Sequence, residues 1–355
     1  MKILFFSQRF LFPMDTGGKI RTGSILRELS KRADITIISN VEYARDAPYL
    51  DEMDGLCSRF IAVPWTEERR YTPAFYARLA VQSLSRYPIA VLNDHSRALE
   101  DALHKELRKG DYDLVICDFL QSTLNFRAIT GIPMLLFQHN VEAQISRRHV
   151  ERASNPLARL FWTLQHRRMR RHEGAMCRRF DATIAVSEED RRLMHEWYGA
   201  DRVHAIPTGV DTAFFAPREG PVESRQLVFT GSMDWLPNDD AMAWFITEIF
   251  PLIRAEEPRT SLVIVGRKPT PRIEKLVAAN PDVELTGWVD DIRDYIAASA
   301  VYIVPIRIGG GTRIKIYEAL AMGKALVSTT VGAEGLPLRD GEHCLRADDP
   351  RAFAD

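Results

Sequence analysis

Two glycine-containing stretches carry residue types that bind phosphate groups. The first is residues 15–19, which include Gly17 and Gly18 and are expected to form a loop before a helix near residues 20–29. The second is residues 309–315. Glycines let the backbone approach a ligand closely, and N–H groups at the start of a helix attract anions. Neither stretch has the G-x-G-x-x-G spacing of dinucleotide-binding enzymes or the G-x-x-x-x-G-K-[ST] spacing of a P-loop. The sequence therefore disfavours a nicotinamide dehydrogenase and a P-loop enzyme, but it remains compatible with a ligand that contains phosphate.

The second stretch leads into a predicted helix over residues 312–322 that carries both signs of charge. Its candidate ligand-binding residues are Gly310, Gly311, Thr312, Arg313, Lys315 and Glu318. Cations in a first helical turn are unfavourable because of the helix dipole, at about 0.3–1 kcal/mol each. A bound diphosphate would make the same cations favourable, because its negative charge would attract them. A carboxylate on a nearly apolar helix needs hydrogen-bond donors, which a ribose diol supplies. Solvated cations and an exposed helical stripe are the alternative interpretations.

His139 follows a buried apolar run at residues 133–137, at the end of a predicted strand where ligand sites of parallel α/β sheets lie. A structural histidine fits the same position equally well. Asp111 and Asp113 have the D-x-D spacing of metal–nucleotide sites. They precede a strand and follow Gly110, however, so we expect an ordinary turn there.

The elements that must position these residues alternate between apolar strands and helices, which is typical of doubly wound parallel sheets. The predicted strands are residues 2–7, 35–39, 59–63, 113–117, 133–137, 182–186, 203–206, 226–230, 261–265, 283–286, 300–305, 325–328 and 344–346. We predict two Rossmann-like domains facing a cleft, residues 1–216 and 226–355, joined by a polar linker at residues 217–225. The second domain is expected to be incomplete at its C-terminal end.

The composition, 46% hydrophobic and 27% charged residues, is that of a globular protein. The four cysteines share no metal-ligand spacing, and no apolar run approaches the 18 residues of a membrane span. We therefore expect a cytoplasmic protein that binds no metal. The net charge of −1 conceals an asymmetry, because residues 145–180 contain ten arginines and only two acids.

Part of that basic segment predicts a membrane surface. Beside the apolar side chains of Phe161, Trp162 and Leu164 lie Arg167, Arg168, Arg170, Arg171, Arg178 and Arg179. Arginines beside an apolar edge are typical of helices that lie at anionic bilayers. The alternative is a solvated helix paired with acids of the first domain. Nucleic acid is not expected as a partner, because no base-stacking pattern accompanies the charge.

Several motifs together resemble the family-4 glycosyltransferases of the GT-B fold, also called glycosyl transferases group 1. More narrowly, the chain is similar to sugar transferases of bacterial exopolysaccharide clusters of the PEP-CTERM type. The resemblance covers nearly the whole chain, and its most specific block is residues 309–323. The other motifs are residues 1–7 with Gly17-Gly18, Gln138-His139-Asn140, residues 185–188, residues 206–211, residues 229–233 and residues 264–266.

The resemblance implies transfer of a sugar, with retention of configuration, from a UDP- or GDP-sugar to a glycan or polyprenyl-linked acceptor. It implies no metal or other cofactor, with the donor mainly on the second domain and the acceptor mainly on the first. Glu318 matches the second glutamate of the family's E-x7-E pattern, which holds the ribose, whereas Gly310 stands at the first. The family's arginine and lysine after the first strand of the second domain are replaced, so Arg313 and Lys315 would supply the charge. His139 would line the anomeric centre.

Two other classes stay open on the sequence alone. One is a different GT-B enzyme, such as a nucleotide-sugar epimerase or a phosphorylase. The other is a GT-B module that binds a nucleotide or a partner without turnover. For the leading interpretation we expect a cytoplasmic enzyme, peripheral on the inner face of the plasma membrane.

Overall fold

Two parallel β-sheets organise the chain, each in its own compact unit, Met1–Pro207 and Thr208–Asp355. The structure is a computed structural model that describes residues 1–66, 72–153, 155–309 and 312–355. All strand pairings within the two sheets are parallel, and helices connect the strands. This confirms the predicted α/β architecture of two doubly wound sheets.

The first unit contains a seven-stranded sheet in the order β3-β2-β1-β4-β5-β6-β7. Its strands are β1 (Lys2–Ser7), β2 (Asp34–Val41), β3 (Arg59–Pro64), β4 (Leu114–Asp118), β5 (Met134–Phe137), β6 (Ala182–Ala185) and β7 (Val203–Ala205). Its α-helices are α1 (Gly17–Leu29), α2 (Tyr43–Asp46), α3 (Pro73–Ser83), α4 (Ile89–Asn93), α5 (Arg97–Leu107), α6 (Glu142–Arg152), α7 (Pro156–Arg179) and α8 (Glu188–Tyr198). The described residues of this unit also form two 3-10 helices, Ala47–Gly55 and Leu120–Phe126.

The second unit contains a six-stranded sheet in the order β10-β9-β8-β11-β12-β13. Its strands are β8 (Glu223–Thr230), β9 (Ser261–Val265), β10 (Val283–Gly287), β11 (Ser299–Val304), β12 (Ala325–Ser328) and β13 (Leu345–Arg346). Its helices are α9 (Leu236–Trp244), a π-helical turn (Phe245–Ile249), α10 (Phe250–Glu256), α11 (Pro271–Ala278), α12 (Ile292–Ala298), α13 (Ile314–Ala321) and α14 (Pro350–Ala354).

Central strands such as β1, β4 and β9 are buried on both faces, as continuous apolar runs in a parallel sheet require. In β1, Leu4 and Phe6 pack into one core cluster, whereas Ile3 and Phe5 pack into another. Successive side chains of a strand point to opposite faces, so the strand joins two cores. The sheet order reverses direction beside β1 in the first unit and beside β8 in the second. Ligand sites of open α/β sheets lie at the carboxyl ends of the strands at such points.

Two helix starts differ from the prediction. The first helix begins at Gly17, so Gly17 and Gly18 lie in its first turn rather than in a preceding loop. The helix predicted from residue 312 begins at Ile314, with Arg313 as its N-cap residue. The chain divides between Pro207 and Thr208, and β8 starts at Glu223 within the predicted linker of residues 217–225. In the described ranges, no helix combines the length and the apolar character that a bilayer crossing requires.

Candidate functional site

A histidine–carboxylate pair lies at the carboxyl edge of the first sheet. Asp118 is the last residue of β4, and His139 follows the end of the neighbouring strand β5 by two residues. The imidazole Nε2 lies 2.8 Å from Asp118 Oδ1, and both residues are buried, at 8% and 0% exposure. His139 therefore lies beyond the carboxyl end of a strand, as expected, and its role at the anomeric centre stays a prediction. Asp118 is a partner that the sequence analysis missed.

Two hydroxyl groups complete this pair. The Thr22 hydroxyl, on α1, lies 3.3 Å from both carboxylate oxygens of Asp118 and 3.4 Å from His139 Nε2. The Ser7 hydroxyl, at the end of β1, lies 3.3 Å from Asp118 Oδ2. The carboxylate is therefore hydrogen-bonded from two other elements, which fixes it as a support for the imidazole. The one sequence signal for it was an aspartate that ends an apolar strand, Leu-Val-Ile-Cys-Asp.

An aromatic ring covers the imidazole. Phe119 has a left-handed backbone conformation, with φ of 64°, and its ring stacks on that of His139 at 3.9 Å between centroids. A Cβ atom at residue 18 would lie 2.5 Å from the tip of the Phe119 ring. Gly18 is therefore needed for packing against Phe119. Its predicted contact with phosphate, and that of Gly17, stay predictions.

Arg21 is a buried cation that sequence reasoning missed. Its guanidinium donates to the carbonyl of Ile206 at 2.6 Å and to that of Gln138 at 3.4 Å, and it lies 4.5 Å from the centroid of the Phe137 ring. Burial lowers the pKa of Arg21 to about 10. The residue ties α1 to the loop that carries His139 and to the end of β7.

In the second unit, Lys315 extends from α13 to the end of β8. Its ammonium donates to the carbonyl of Thr230 and to Asn238 Oδ1, the latter at 3.3 Å, and lies 4.1 Å from the centroid of the Phe229 ring. Because this enclosure removes the ammonium from water, the pKa of Lys315 is lowered to about 7. The lysine therefore places a cation at the strand where the sheet order reverses.

Gly231 makes room for this lysine. Its φ of +152° favours glycine, and a Cβ atom there would lie 2.7 Å from Lys315 Nζ and 2.6 Å from Asn238 Nδ2. The glycine belongs to the motif at residues 229–233 that follows β8. The motif at the end of β8 and the motif that leads into α13 thus meet at one point, although Thr230 and Lys315 are 85 residues apart in the sequence.

Glu318 on α13 and Arg313, the N-cap residue of that helix, lie on either side of Lys315 in the sequence. Glu318 lies one turn after Lys315, is 7% exposed, and has its pKa raised to about 7 by burial. Arg313 is 5% exposed, and its guanidinium carbon lies 5.5 Å from the centroid of the Trp235 ring. Thr312 precedes the helix with its hydroxyl buried. Gly310 and Gly311 lie outside the described residues.

The D-x-D pair lies at the opposite edge of the first sheet from His139. Asp113 precedes β4 and accepts from the backbone N–H of Lys2 at 2.8 Å, and Asp111 contacts the Lys2 ammonium at 2.9 Å. The pair therefore joins the starts of β1 and β4, as expected of a turn. Within the described ranges, no three His, Cys, Asp or Glu side chains are grouped as metal ligands.

The six predicted surface arginines all lie on α7. Five of them are exposed, and only Arg168 is half-buried. Three of the six donate to backbone carbonyls: Arg168 to Ser83 at 2.8 Å, Arg178 to Tyr198 at 3.1 Å, and Arg179 to Phe126, Arg127 and Ile129. The helix is therefore held to the unit partly through carbonyl groups, in addition to any pairing with acids.

Comparison with known proteins assigns both units to one family. Residues 17–214 match the family described as Glycosyltransferase Family 4, and residues 224–355 match the family described as Glycosyl transferases group 1. An uncharacterised 44.6 kDa protein from the cps region of Klebsiella pneumoniae is 21% identical, with 99% of this chain and 89% of that protein covered. The phosphatidyl-myo-inositol mannosyltransferase of Mycolicibacterium smegmatis is 33% identical over 170 residues, which span 45% of this chain and 42% of that enzyme.

Solved structures share the fold at low sequence identity. Sucrose-phosphate synthase from Thermosynechococcus elongatus has a TM-score of 0.73 at 17% identity, with 100% of this chain and 88% of that one covered. The Anabaena HepE protein in complex with UDP-glucose has a TM-score of 0.68 at 14% identity, with the same coverage. These structures have the two-domain GT-B architecture that the sequence analysis predicted. Because the family models match both units, the chain belongs to the group 1 glycosyltransferases of family 4.

Proposed function

We propose that this chain transfers a sugar from a UDP- or GDP-linked donor, with retention of configuration, to a glycan or polyprenyl-linked acceptor. The observation that carries the proposal is the buried cluster of Lys315, Glu318 and Arg313 at the carboxyl edge of the second sheet. A cation beside a glycine, with a carboxylate one helical turn away, matches the two parts of a nucleoside diphosphate. Lys315 and Arg313 would bind the diphosphate, and Glu318 the ribose diol.

The buried state of Glu318 and Lys315 supports this assignment. Burial disfavours both charged side chains, as the opposite displacements of their pKa values indicate. A diphosphate would stabilise the lysine cation, and two ribose hydroxyls would donate to the carboxylate. The ligand would therefore offset the cost of burying these two charges. Nucleotide complexes of the Anabaena HepE protein, which contain UDP or UDP-glucose, are consistent with such a donor.

In the proposed reaction, the protein acts mainly by stabilising the leaving diphosphate. The bond between the anomeric carbon and the diphosphate oxygen breaks, and the acceptor oxygen bonds to the same face of that carbon. The acceptor proton passes to the leaving diphosphate oxygen. Lys315 and Arg313 would stabilise the charge that develops on the diphosphate, so we propose that no metal is required. His139, oriented by Asp118, is assigned to the sugar side of the reaction.

The biological setting is proposed from the relatives. The Klebsiella relative is encoded in a cps region, which supports a role in exopolysaccharide biosynthesis. The mycobacterial relatives are named for transfer to phosphatidyl-myo-inositol, which supports an acceptor in the membrane. We therefore propose a cytoplasmic enzyme that associates peripherally with the inner face of the plasma membrane.

A donor panel tests the proposal. The protein is incubated with UDP- and GDP-sugars, with and without polyprenyl-linked and glycan acceptors, and the released nucleoside diphosphate is measured with and without EDTA. We expect acceptor-dependent release that EDTA leaves unchanged. Nucleotide binding without release for any donor would favour the non-catalytic module instead, and a strict requirement for magnesium would contradict the metal-free mechanism.

A further inference from the structure

The first half of α7 exposes an apolar stripe to solvent. Leu157, Leu160, Phe161 and Leu164 are 80%, 68%, 36% and 41% exposed. Their spacing of three, one and three residues places them on one face of the helix. Such a stripe normally faces a core. Here it does not, because α7 packs on its unit through a different side that includes Gln165, Met169, His172 and Cys177.

The end of α3 adds apolar surface beside this helix. Val81 and Leu84 are 70% and 88% exposed. The guanidinium of Arg168 donates to the carbonyl of Ser83 at 2.8 Å, so the C-terminal end of α3 lies against the middle of α7. The exposed apolar side chains of the two helices therefore belong to one region of the first unit.

Arginines continue the same region. Arg168 and Arg171 follow Leu164 by four and seven residues, so they share its helix face, and Arg167 lies next to them. Two shallow depressions open among these side chains, with volumes of about 360 and 370 Å³. One is lined by Arg167, Arg170, Arg171, Arg178, Trp197 and Tyr198, and the other by Leu84, Ser85, Arg86, Arg167, Arg168 and Arg171.

We propose that this composite surface binds an anionic lipid bilayer. We name it the α3–α7 surface, comprising Val81, Leu84, Leu157, Leu160, Phe161, Leu164 and Arg167, Arg168, Arg170 and Arg171. The apolar stripe enters the acyl boundary, and the arginines and their depressions hold lipid phosphates. Apolar residues beside a cationic face are the composition that binds a charged interface. The inference extends the proposed function, because an acceptor in the membrane gives such a surface its use.

The charge and the apolar side chains of the α3–α7 surface favour an anionic bilayer over a second copy of the chain or a nucleic acid. A symmetric contact between two copies would bring two arginine clusters together, since residues 145–180 hold ten arginines and two acids. A nucleic acid would meet the cations but leave the leucines exposed to water. An anionic lipid surface satisfies both the cationic and the apolar parts.

Vesicle binding tests the cationic part. Co-sedimentation is measured with phosphatidylglycerol/phosphatidylcholine vesicles and with phosphatidylcholine alone, at low and high salt. We expect binding only to the anionic vesicles, weakened by salt and reduced at least tenfold by the double variant Arg167→Gln, Arg171→Gln. The control, Arg259→Gln with Lys275→Gln, removes the same charge from exposed positions of the second unit and should bind as the wild type does. Absence of binding at low salt, or equal loss in both variants, would overturn the proposal.

A fluorescent probe tests the apolar part. The four native cysteines are buried, so Phe161→Cys offers a selective site for an environment-sensitive label. We expect its emission to shift to the blue on anionic vesicles. We also expect Leu160→Gln to weaken binding at least threefold, whereas Leu345→Gln on the second unit has no effect. A label that stays in water while the protein sediments, or a dimer that forms through Leu160 without vesicle binding, would refute the lipid assignment.

The nucleotide site provides an independent readout. Calorimetry with UDP and GDP should give the same affinity for the wild type and for all α3–α7 surface variants, because those substitutions lie outside the second unit. Vesicle binding by a protein that binds no nucleotide would support the surface and contradict the donor assignment. The two proposals can therefore fail separately.

Discussion

The imidazole Nε2 of His139, two residues beyond the end of β5, lies 2.8 Å from Oδ1 of Asp118, the last residue of the neighbouring strand β4. The contact is buried and shared with the hydroxyl of Thr22. It fixes one ring nitrogen and therefore the plane of the imidazole, with Phe119 stacked on one ring face. The pair is thus a pre-oriented group on rigid elements, as a reacting centre requires.

Asp118→Asn should lower turnover without changing nucleotide affinity. The amide keeps the volume but loses a charge-assisted hydrogen bond of about 1.5–3 kcal/mol, so we expect kcat to fall roughly 10- to 100-fold. Steady-state kinetics and UDP or GDP calorimetry measure the two quantities. Asp113→Asn, at the opposite edge of the sheet, is the control and should keep wild-type kcat. An unchanged kcat in Asp118→Asn would remove the positioning role.

Gly18→Ala should disturb the stack on His139. The added methyl would lie 2.5 Å from the Phe119 ring, so either the ring or α1 must shift. We expect a loss of about 1–3 kcal/mol in the free energy of unfolding, as for overpacked sites, together with reduced kcat. Gly55→Ala is the control, because a Cβ there meets nothing within 4 Å. Equal unfolding midpoints in urea for both variants would show that Gly18 is not needed for packing.

The strands were predictable because their apolar runs are long and bounded by turns. Every predicted strand has a counterpart in the structure, and the largest differences are a few residues at the ends, as in β2 and β8. Helix starts were less predictable, because Gly17 and Gly18 suggest a loop by composition but lie in the first turn of α1. Local helix propensity carries no information about Phe119, which lies about 100 residues away in the sequence. The ring of Phe119 leaves no room for a Cβ atom at residue 18, so a glycine is required there.

The site was predictable only where one motif contains all of its members. Lys315 and Glu318 stood out within the block at residues 309–323. The contact of Lys315 with Thr230 and Asn238 depends on the pairing of β11 with β8, which the local sequence does not specify. Asp118 and Arg21 were missed for the same reason, since their partners are 21 and 117 residues or more away.

Glu318→Gln should weaken binding of the nucleoside part of the donor. If the carboxylate accepts from the ribose hydroxyls, its loss costs about 1.5–3 kcal/mol, or roughly 10- to 100-fold in affinity for both UDP or GDP and the matching nucleoside. Glu284→Gln, at an exposed position of β10, provides the control. Calorimetry with a 2′,3′-dideoxynucleotide should show little difference between wild type and Glu318→Gln. A full loss with that ligand would contradict the ribose contact.

Affinity for a nucleotide sugar should be greatest near neutral pH. The Lys315 cation is present below its lowered pKa of about 7 and is lost as the pH rises through that value. The Glu318 carboxylate is present above its raised pKa of about 7 and is lost as the pH falls. A sugar diphosphate diester does not titrate near neutrality, so the fall in affinity on the alkaline limb and on the acid limb of the pH profile both arise from the protein. On each limb the affinity should fall by up to about tenfold per pH unit. Lys315→Met should abolish the alkaline limb alone, and an unaltered profile in that variant would exclude Lys315 as its cause.

The most direct measurement is calorimetric binding of UDP, GDP and their nucleosides to wild type, Lys315→Met and the control Lys275→Met. We expect one diphosphate to bind the wild type and the control equally, and to bind Lys315→Met at least about tenfold more weakly, because a charge-assisted phosphate contact is lost. Nucleoside affinity should be the same in all three proteins. Equal weakening of diphosphate and nucleoside in Lys315→Met, or no difference for the diphosphate, would contradict the claim that this lysine binds the donor's diphosphate.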